Sequence, residues 1–278
     1  MRKQTINLVL LFMIFSGVQG QDLLIHKHDG TIINIAMDAI DSVTFVENST
    51  LFECGTSSIS DIDGNTYNTV LIGNQCWMKE NLKTTRFRNG NPIAYPGNDD
   101  DLWRNNTSGA YAWYENDISW KDLYGALYNW QAVNSANLLC PTGWRVPKQG
   151  EWEYLINYIE DQGYPQEDNS NGAGNAIKSC RQVNSYLGGD CSTSTHPRWE
   201  ESSIHFGLDI VGFSALPGGY RANNGFYNRI GLSGYYWSST TYGSSNARDF
   251  YIHNDYGVIG LGGSYRNDGS SVRCIKNN

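Results

Sequence analysis

Apolar positions follow three rhythms along the chain, and each keeps to its own stretch. Ile6 to Phe15 is an almost unbroken apolar run behind Arg2 and Lys3. Ser16-Gly17-Val18-Gln19-Gly20 then puts Val18 and Gly20 at the −3 and −1 positions that a signal peptidase reads. That is the three-part plan of a secretory signal, so residues 1–20 are expected to be removed on export. The run has only about half of the ~20 apolar residues that a membrane-spanning helix needs. No later segment is apolar enough to span, and no cysteine precedes Cys54 to carry a lipid anchor at the cleavage point.

Alternating patterns come next. Residues 21–50 read as a small β unit and linker. Leu23 to His28, the turn signal Asp29-Gly30 and the return run Thr31 to Ile35 form a hairpin, and Ser42 to Val46 a third strand after a turn at Met37–Ile40. Residues 51–278 form the main domain. It opens on a hairpin in which Asp61-Ile62-Asp63-Gly64-Asn65 precedes the strand Thr66 to Ile72. The aspartates begin like a calcium loop, but the twelfth position, where an EF-hand needs glutamate, is Ile72, so a plain turn is expected.

Helical spacing occurs twice. Leu123, Ala126, Leu127, Trp130 and Val133 share a face over Asp122 to Val133, and Trp152, Leu155, Ile156 and Ile159 share one over Glu151 to Glu160. Glu151 and Glu153 fall in the first turn of the second helix, where carboxylates suit the dipole. Two residues apart, they diverge, which argues against a paired acid and base. From Gly207 onward, aromatic runs separated by Gly and Asn predict strands at Tyr235 to Thr240, Ala247 to His253, Gly257 to Leu261 and Ser271 to Lys276. In the second of these, Phe250 and Ile252 alternate with Asp249, Tyr251 and His253. A period of two turns the apolar pair toward a core and the polar-aromatic set outward.

Charge and cysteine usage sharpen this picture. The formal charge of −8 becomes −10 without residues 1–20, with 18 basic against 28 acidic residues, which is not the footprint of a nucleic-acid binder. Only 17% of residues are charged while Tyr, Trp, Gly, Ser and Asn abound, a composition of loop-rich β structure and not of disorder. Six cysteines in an exported chain read as three disulfides, for which fifteen pairings exist. Cys180 and Cys191 enclose a short polar stretch, Cys54 and Cys76 flank the first hairpin of the main domain, and Cys140 and Cys274 are left to join the middle of the chain to its end. No pair has C-x-x-C spacing and the five histidines are scattered, so neither a metal nor a cofactor is expected.

A series of motifs also carries a resemblance. It runs Asp61-Ile62-Asp63-Gly64-Asn65-Thr66-Tyr67, Ile72-Gly73-Asn74-Gln75-Cys76-Trp77-Met78-Lys79-Glu80-Asn81-Leu82, Leu123-Tyr124-Gly125-Ala126-Leu127-Tyr128-Asn129-Trp130 and Cys140-Pro141-Thr142-Gly143-Trp144-Arg145-Val146-Pro147. It continues with Gly212-Phe213-Ser214-Ala215-Leu216-Pro217-Gly218-Gly219-Tyr220-Arg221, Tyr236-Trp237-Ser238-Ser239-Thr240 and Ser271-Val272-Arg273-Cys274. In order and spacing, over about residues 54–277, these resemble the Fibrobacter succinogenes major paralogous domain, a family frequent in exported proteins of Bacteroidetes-type bacteria. The 23–47 unit looks like the small β module that often precedes it.

The resemblance implies an α+β, C-type-lectin-like fold: two helices beside twisted antiparallel sheets, a long irregular loop region and a Cys140–Cys274 bridge. Lys148-Gln149-Gly150 departs from the family, which usually has a Ser, Thr or Asp cap there; losing a cap costs about 1 kcal/mol. The glutamate-proline-asparagine loop of calcium-dependent lectins is missing, and the nearest match to their tryptophan-asparagine-aspartate strand is His253-Asn254-Asp255. The related formylglycine-generating enzymes rely on reactive cysteines, whereas the pairing expected here uses all six. Residues 235–274 also look like the variable region of proteins diversified by retroelements, where Asn, Ser, Asp, Tyr, Gly and His are scattered over a lectin-like surface.

A fold does not deliver a function. The expected function is a non-catalytic binding module, exported to the periplasm, the cell surface or the medium, that recognises a glycan or protein ligand at the cell envelope through the 235–270 surface. Tyr242, Asn246, Asp249, Tyr251, His253, Asp255, Tyr256, Tyr265, Arg266 and Asn267 are its expected exposed ligand set. One alternative is a structural subunit of an envelope assembly or appendage, docked through the 23–47 unit with its open strand edges. Another is an exported glycan-active enzyme using Glu200, Glu201 and His205. These lie in a polar stretch without a partner motif and read as a solvated segment.

Overall fold

A computed structural model describes residues 22–26, 30–36, 52–179, 199–200 and 202–277. The chain divides into two units, Met1–Leu51 and Phe52–Asn278. In the first, β1 (Asp22–His26) and β2 (Ile32–Ala36) pair antiparallel, Asp22 opposite Ala36 and His26 opposite Ile32. This is the expected hairpin; the expected leader and the third strand at 42–46 lie outside the described residues.

The second unit is mostly β. Its strands are β3 (Ser58–Ser60), β4 (Thr66–Ile72), β5 (Gln75–Met78), β6 (Tyr111–Ala112), β7 (Leu127–Tyr128), β8 (Trp144–Arg145), β9 (Gly218–Arg221), β10 (Tyr227–Ile230), β11 (Ser233–Tyr242), β12 (Asn246–His253), β13 (Gly260–Tyr265) and β14 (Ile275–Lys276). Among the described residues five helices accompany them: α1 (Asp100–Arg104), α2 (Lys121–Tyr124), α3 (Trp130–Val133), α4 (Gln149–Asp161) and α5 (Ala173–Ile177). One five-stranded sheet has the order β3-β4-β5-β14-β8 and the other β10-β9-β11-β12-β13, with β6 and β7 as a separate pair. Neighbours are antiparallel except for a single parallel contact of β9 with β11, at Gly219 and Gly234.

The last segment of the chain joins the two sheets. Ser271 exchanges backbone hydrogen bonds with Tyr235 and Trp237 of β11, Val272 and Cys274 accept from Leu82 and Met78, and Ile275 lies opposite both Trp77 and Arg145. The expected strand Ser271 to Lys276 is therefore a crossing strand, of which only Ile275–Lys276 counts as ladder. Cys140–Cys274 anchors it, with Cα atoms 6.0 Å apart across 134 residues, and Cys54–Cys76 staples the first hairpins, Cα atoms 5.8 Å apart. Each bridge stabilises by ~2–4 kcal/mol, the long loop more in the chain-entropy model. Cys180 and Cys191 fall outside the described residues.

Of the two expected helices, one forms. α4 buries Trp152, Leu155 and Ile159. Lys148 gives its start no side-chain cap; instead Glu151 accepts the Lys148 N–H at 2.7 Å and pairs with Arg145. The helix expected over Asp122 to Val133 does not form. Gly125, at φ 75°, ends α2, and a Cβ there would stand 2.8 Å from Asn81 Cβ and Leu82 O. Leu127–Tyr128 then pairs with Tyr111–Ala112, and Asn129 caps α3 by accepting the Ala132 N–H. Four of the five spaced positions are buried and Leu123 is exposed, and three short elements share the stretch.

Candidate ligand-binding face

β11 and β12 stand between two cores that cover opposite faces of the same sheet. Tyr236, Phe250 and Ile252 pack into one core with Trp77, Trp152 and Phe213. Trp237 and Ala247, on the opposite face, pack into the other with Trp130, Trp144 and Tyr128. The alternation therefore slips in the middle of β12: Asp249 and Phe250, neighbours in sequence, are each 1% exposed. Beyond that slip the Asp249 face is no longer covered, and this is where the aromatic surface lies.

Three tyrosines cross the strands there. Tyr235 of β11 sits opposite Tyr251 of β12, their rings 5.8 Å apart and inclined by 31°. Tyr220 of β9 approaches Tyr235 edge-on at 5.0 Å and has Asn228 of β10 on its other side. All three are half-buried. Opposite Tyr251 on β13 is Gly260, and a Cβ there would stand 2.1 Å from Tyr251 Cζ. The ring thus lies across the glycine backbone, in a place that any larger residue would occupy.

The row ends in a pinned loop. Tyr256 packs on His253 at 4.9 Å, and His253 Nδ1 accepts the Asp255 N–H at 3.1 Å. Burial pushes the His253 imidazole below its ordinary pKa, as does Arg229, whose Nη1 is 3.4 Å from Nε2; Asp255 opposes the shift. Beneath the loop, the fully buried Lys178 donates to Asn175 Oδ1 at 2.9 Å, Asn254 O at 3.1 Å and Tyr256 O at 2.9 Å. Burial pushes this lysine down to about 7. Its three hydrogen bonds, two of them to carbonyls of the loop, hold that backbone in place.

The ten residues expected to form one surface are divided by the sheet. Tyr251, His253, Asp255 and Tyr256 lie together at the tyrosine row. Tyr242, Asn246, Tyr265, Arg266 and Asn267 gather at the other end, where Tyr265 is opposite Asn246, five residues and ~17 Å along β12 from Tyr251. There the Arg248 guanidinium stacks on Tyr242 at 3.6 Å, Asn246 donates to Gly263 O, Arg266 stacks on Trp130 at 4.6 Å and donates to Gly243 O, and Asn267 donates to Arg104 O. Much of this second group braces loops. Asp249 is a correction: it is buried, not exposed. Its side chain folds over Gly262, Oδ2 accepts from Ser264 Oγ at 3.0 Å, Oδ1 has no partner, and burial pushes its pKa up to about 6.

His205 is a second correction. It is 3% exposed, with Nδ1 3.2 Å from Asn175 Nδ2 and Nε2 3.5 Å from Asp168, so it belongs to buried packing and not to a solvated segment. Glu201 lies outside the described residues. Asp61 and Asp63 form the expected turn: Asp61 accepts from Asp63 N, Asn65 N and Tyr67 Oη, and Asp63 from Thr85 and Arg86.

Sequence reasoning missed Tyr220, Tyr235 and Asn228, and with them a cleft of about 730 Å³ that Tyr220 borders. It lies between the β9–β10 hairpin and the 98–116 segment. Phe226, 66% exposed, stands at the hairpin tip, and Tyr227 Oη donates to Asn116 Oδ1 at 2.8 Å in the wall. Glu115 and Asn116 hold that wall at φ 51° and 57°, a left-handed pair that non-glycine residues seldom adopt. The Tyr220–Tyr235 pairing depends on the parallel contact through Gly219 and Gly234, for which the sequence has no signal beyond the glycines themselves.

Comparison with known proteins finds a match to the family model described as Fibrobacter succinogenes major domain over residues 70–276, most of the chain. No curated protein and no solved structure matches it.

Proposed function

We infer that this chain, which belongs to the Fibrobacter succinogenes major domain family, is a non-catalytic binding module of the cell envelope with its ligand site on the tyrosine row of β9, β11 and β12. The observation that carries this reading is the row itself: three half-exposed aromatic rings on the uncovered half of a sheet whose other half is locked into a core. Rigid tyrosines provide large amphipathic contact area with little side-chain entropy to lose, the physical basis of many recognition surfaces. The titratable groups nearest the row argue for recognition over catalysis, since Lys178 and Asp249 are buried and His253 is engaged by Asp255 and Arg229. We read the architecture as C-type-lectin-like, supported by the return of β14 to β5 and by the Cys140–Cys274 bridge. Two disulfides and the absence, among the described residues, of a helix long and apolar enough to cross a membrane fit an extracytoplasmic setting.

The test is binding of the disulfide-bonded protein to a broad array of glycans and surface polysaccharides, and to envelope proteins, beside Tyr251→Ala. The expected result is specific binding that falls at least tenfold in the variant at unchanged melting temperature. Undiminished binding by a folded Tyr251→Ala protein would remove the site from this face.

A further inference from the structure

We propose that the cleft beside Tyr220 is a second subsite of the same binding surface, and that the ligand is a neutral, linear glycan lying across the strands from Tyr251 to the cleft. This rests on the reading of the tyrosine row as the binding face. Tyr220 connects the two places: it packs edge-on to Tyr235 at one side and borders the cleft at the other, with Asn228 its register partner on β10. Row and cleft therefore form one continuous path, perpendicular to the strands, longer than a single sugar ring.

The lining selects the chemistry. Asn98, Asn116, Asn224 and Asn228 line the cleft, and Phe226 brings an aromatic face that is 66% exposed. Asn116 engages both ends of its amide with Tyr227 Oη and Asn98 Oδ1, Asn224 Oδ1 accepts the Phe226 N–H and Asn228 Nδ2 donates to Phe226 O, so Asn98 and Asn224 turn an amide N–H and Asn228 an amide oxygen to a ligand. Donors from Asn98 and Asn224 and an acceptor from Asn228 match the neighbouring hydroxyls of a pyranose, each of which both donates and accepts. An aromatic face packs against the C–H side of the same ring, whose C–H bonds meet its negative quadrupole. The volume of about 730 Å³ lies within the ~300–1,000 Å³ usual for small-ligand sites.

Charge argues for a neutral ligand. Arg221 lies beneath the cleft, fully buried, and its guanidinium is held by Asp100 Oδ1 and Gly225 O, both at 3.0 Å, under the Tyr227 ring. The cleft lining itself carries Asp100 and Glu115 and no basic side chain. Nothing in the cleft would compensate the carboxylate or sulfate of an acidic sugar, and the exposed Arg229 beside the row is turned to His253 Nε2 at 3.4 Å. A protein ligand would find few aliphatic side chains to anchor on beside the row, because the partner of Tyr251 on β13 is Gly260 and that of Asp249 is Gly262.

The experiment measures the disulfide-bonded protein against neutral oligomers of two and six sugars (β-glucan, xylan, mannan and galactan fragments) by calorimetry, beside the doubly substituted Phe226→Ala/Asn228→Ala protein and Tyr251→Ala. Both side chains are at the surface of the hairpin, and a melting curve verifies the fold. The wild-type protein is expected to bind a hexamer at least tenfold more tightly than its dimer. The double variant should bind the dimer as the wild type does but lose the gain with length, whereas Tyr251→Ala should weaken both. Should the double variant bind the hexamer normally while Tyr251→Ala does not, the subsite is refuted and the tyrosine-row reading survives. Binding confined to acidic glycans, or to a purified protein in a Tyr251-dependent way, overturns the neutral-glycan assignment and likewise leaves the row standing. Hexamer binding indifferent to Tyr251→Ala removes both.

Discussion

Gly260 is the position where one added carbon interrogates the site. Its backbone is not in the left-handed region, so alanine meets no conformational penalty there, and a strand residue with a side chain gains ~0.5–1 kcal/mol over glycine. The obstacle is Tyr251. A Cβ at position 260 falls 2.1 Å from Cζ, 2.4 Å from Cε1 and 2.5 Å from Cε2, where ordinary contact begins at 3.4 Å. The ring must lift by about 1.3 Å, the difference of those two distances, and in doing so it leaves the tilted packing on Tyr235. Overpacking of this kind costs ~1–3 kcal/mol. Against the strand gain, Gly260→Ala should lose about 1–2 kcal/mol and remain folded. Binding should suffer more: displacing an aromatic anchor worth ~2 kcal/mol weakens affinity about 30-fold. The assays are a denaturant curve, ligand binding, and NMR of ring-labelled tyrosine, which follows the Tyr251 ring without any ligand. Gly150→Ala is the control, because nothing lies within 4 Å of a Cβ there and the residue sits in the first turn of α4, so the same chemical change should stabilise by ~0.5–1 kcal/mol. Unshifted Tyr251 ring signals in Gly260→Ala, with full binding, would refute the argument that the glycine shapes the row.

Two further outcomes follow from buried charge. Arg273 is fully buried with no carboxylate partner; it donates to Asn81 Oδ1 at 2.9 Å, to Phe213 O and to Ser214 O at 2.7 Å, and stacks on Phe213 at 4.4 Å. Arg273→Met leaves the buried Asn81 Oδ1 and Phe213 O, and the part-buried Ser214 O, without this donor, at ~1–3 kcal/mol for each buried group, so a loss of at least about 2 kcal/mol is expected in chemical denaturation, and a loss under 1 kcal/mol would contradict it. Asp249, raised by burial to about 6, contributes stability that is complete below its ordinary 3.8 and is lost as pH rises through 6. Asp249→Asn should therefore stabilise by ~3 kcal/mol at pH 7 to 8 and hardly at pH 4, and a difference that stays constant across that range of denaturation curves would show that the carboxylate is not strained by burial.

The difference between what the sequence reveals and what it hides comes down to which contacts are local. The hairpin at 22–36, the strand Thr66–Ile72 and helix α4 were legible because each depends on its own turn signal or its own apolar face. Asp122 to Val133 misled because Ala126, Leu127, Trp130 and Val133 are buried at helical spacing for a different reason, while Leu123 is exposed: a glycine turn, a two-residue strand and a capped single turn deliver the buried four to the core one element at a time. The same holds for the site. Period two correctly assigned Phe250 and Ile252 to a core, and it assumed that one face of β12 is inside along the whole strand. Asp249 disproves the assumption, since the second core, around Trp237 and Ala247, covers the other face for the first half of the strand. What remains uncovered is the short stretch where neither core reaches, and its extent is set by Trp130, Trp144 and Trp237, residues far apart in sequence. Tyr220 and Tyr235 join Tyr251 there because two glycines let β9 run parallel against β11. A surface defined by where packing stops cannot be read from the residues that line it, so the aromatic composition of 235–270 pointed to the right sheet and to only part of the right face.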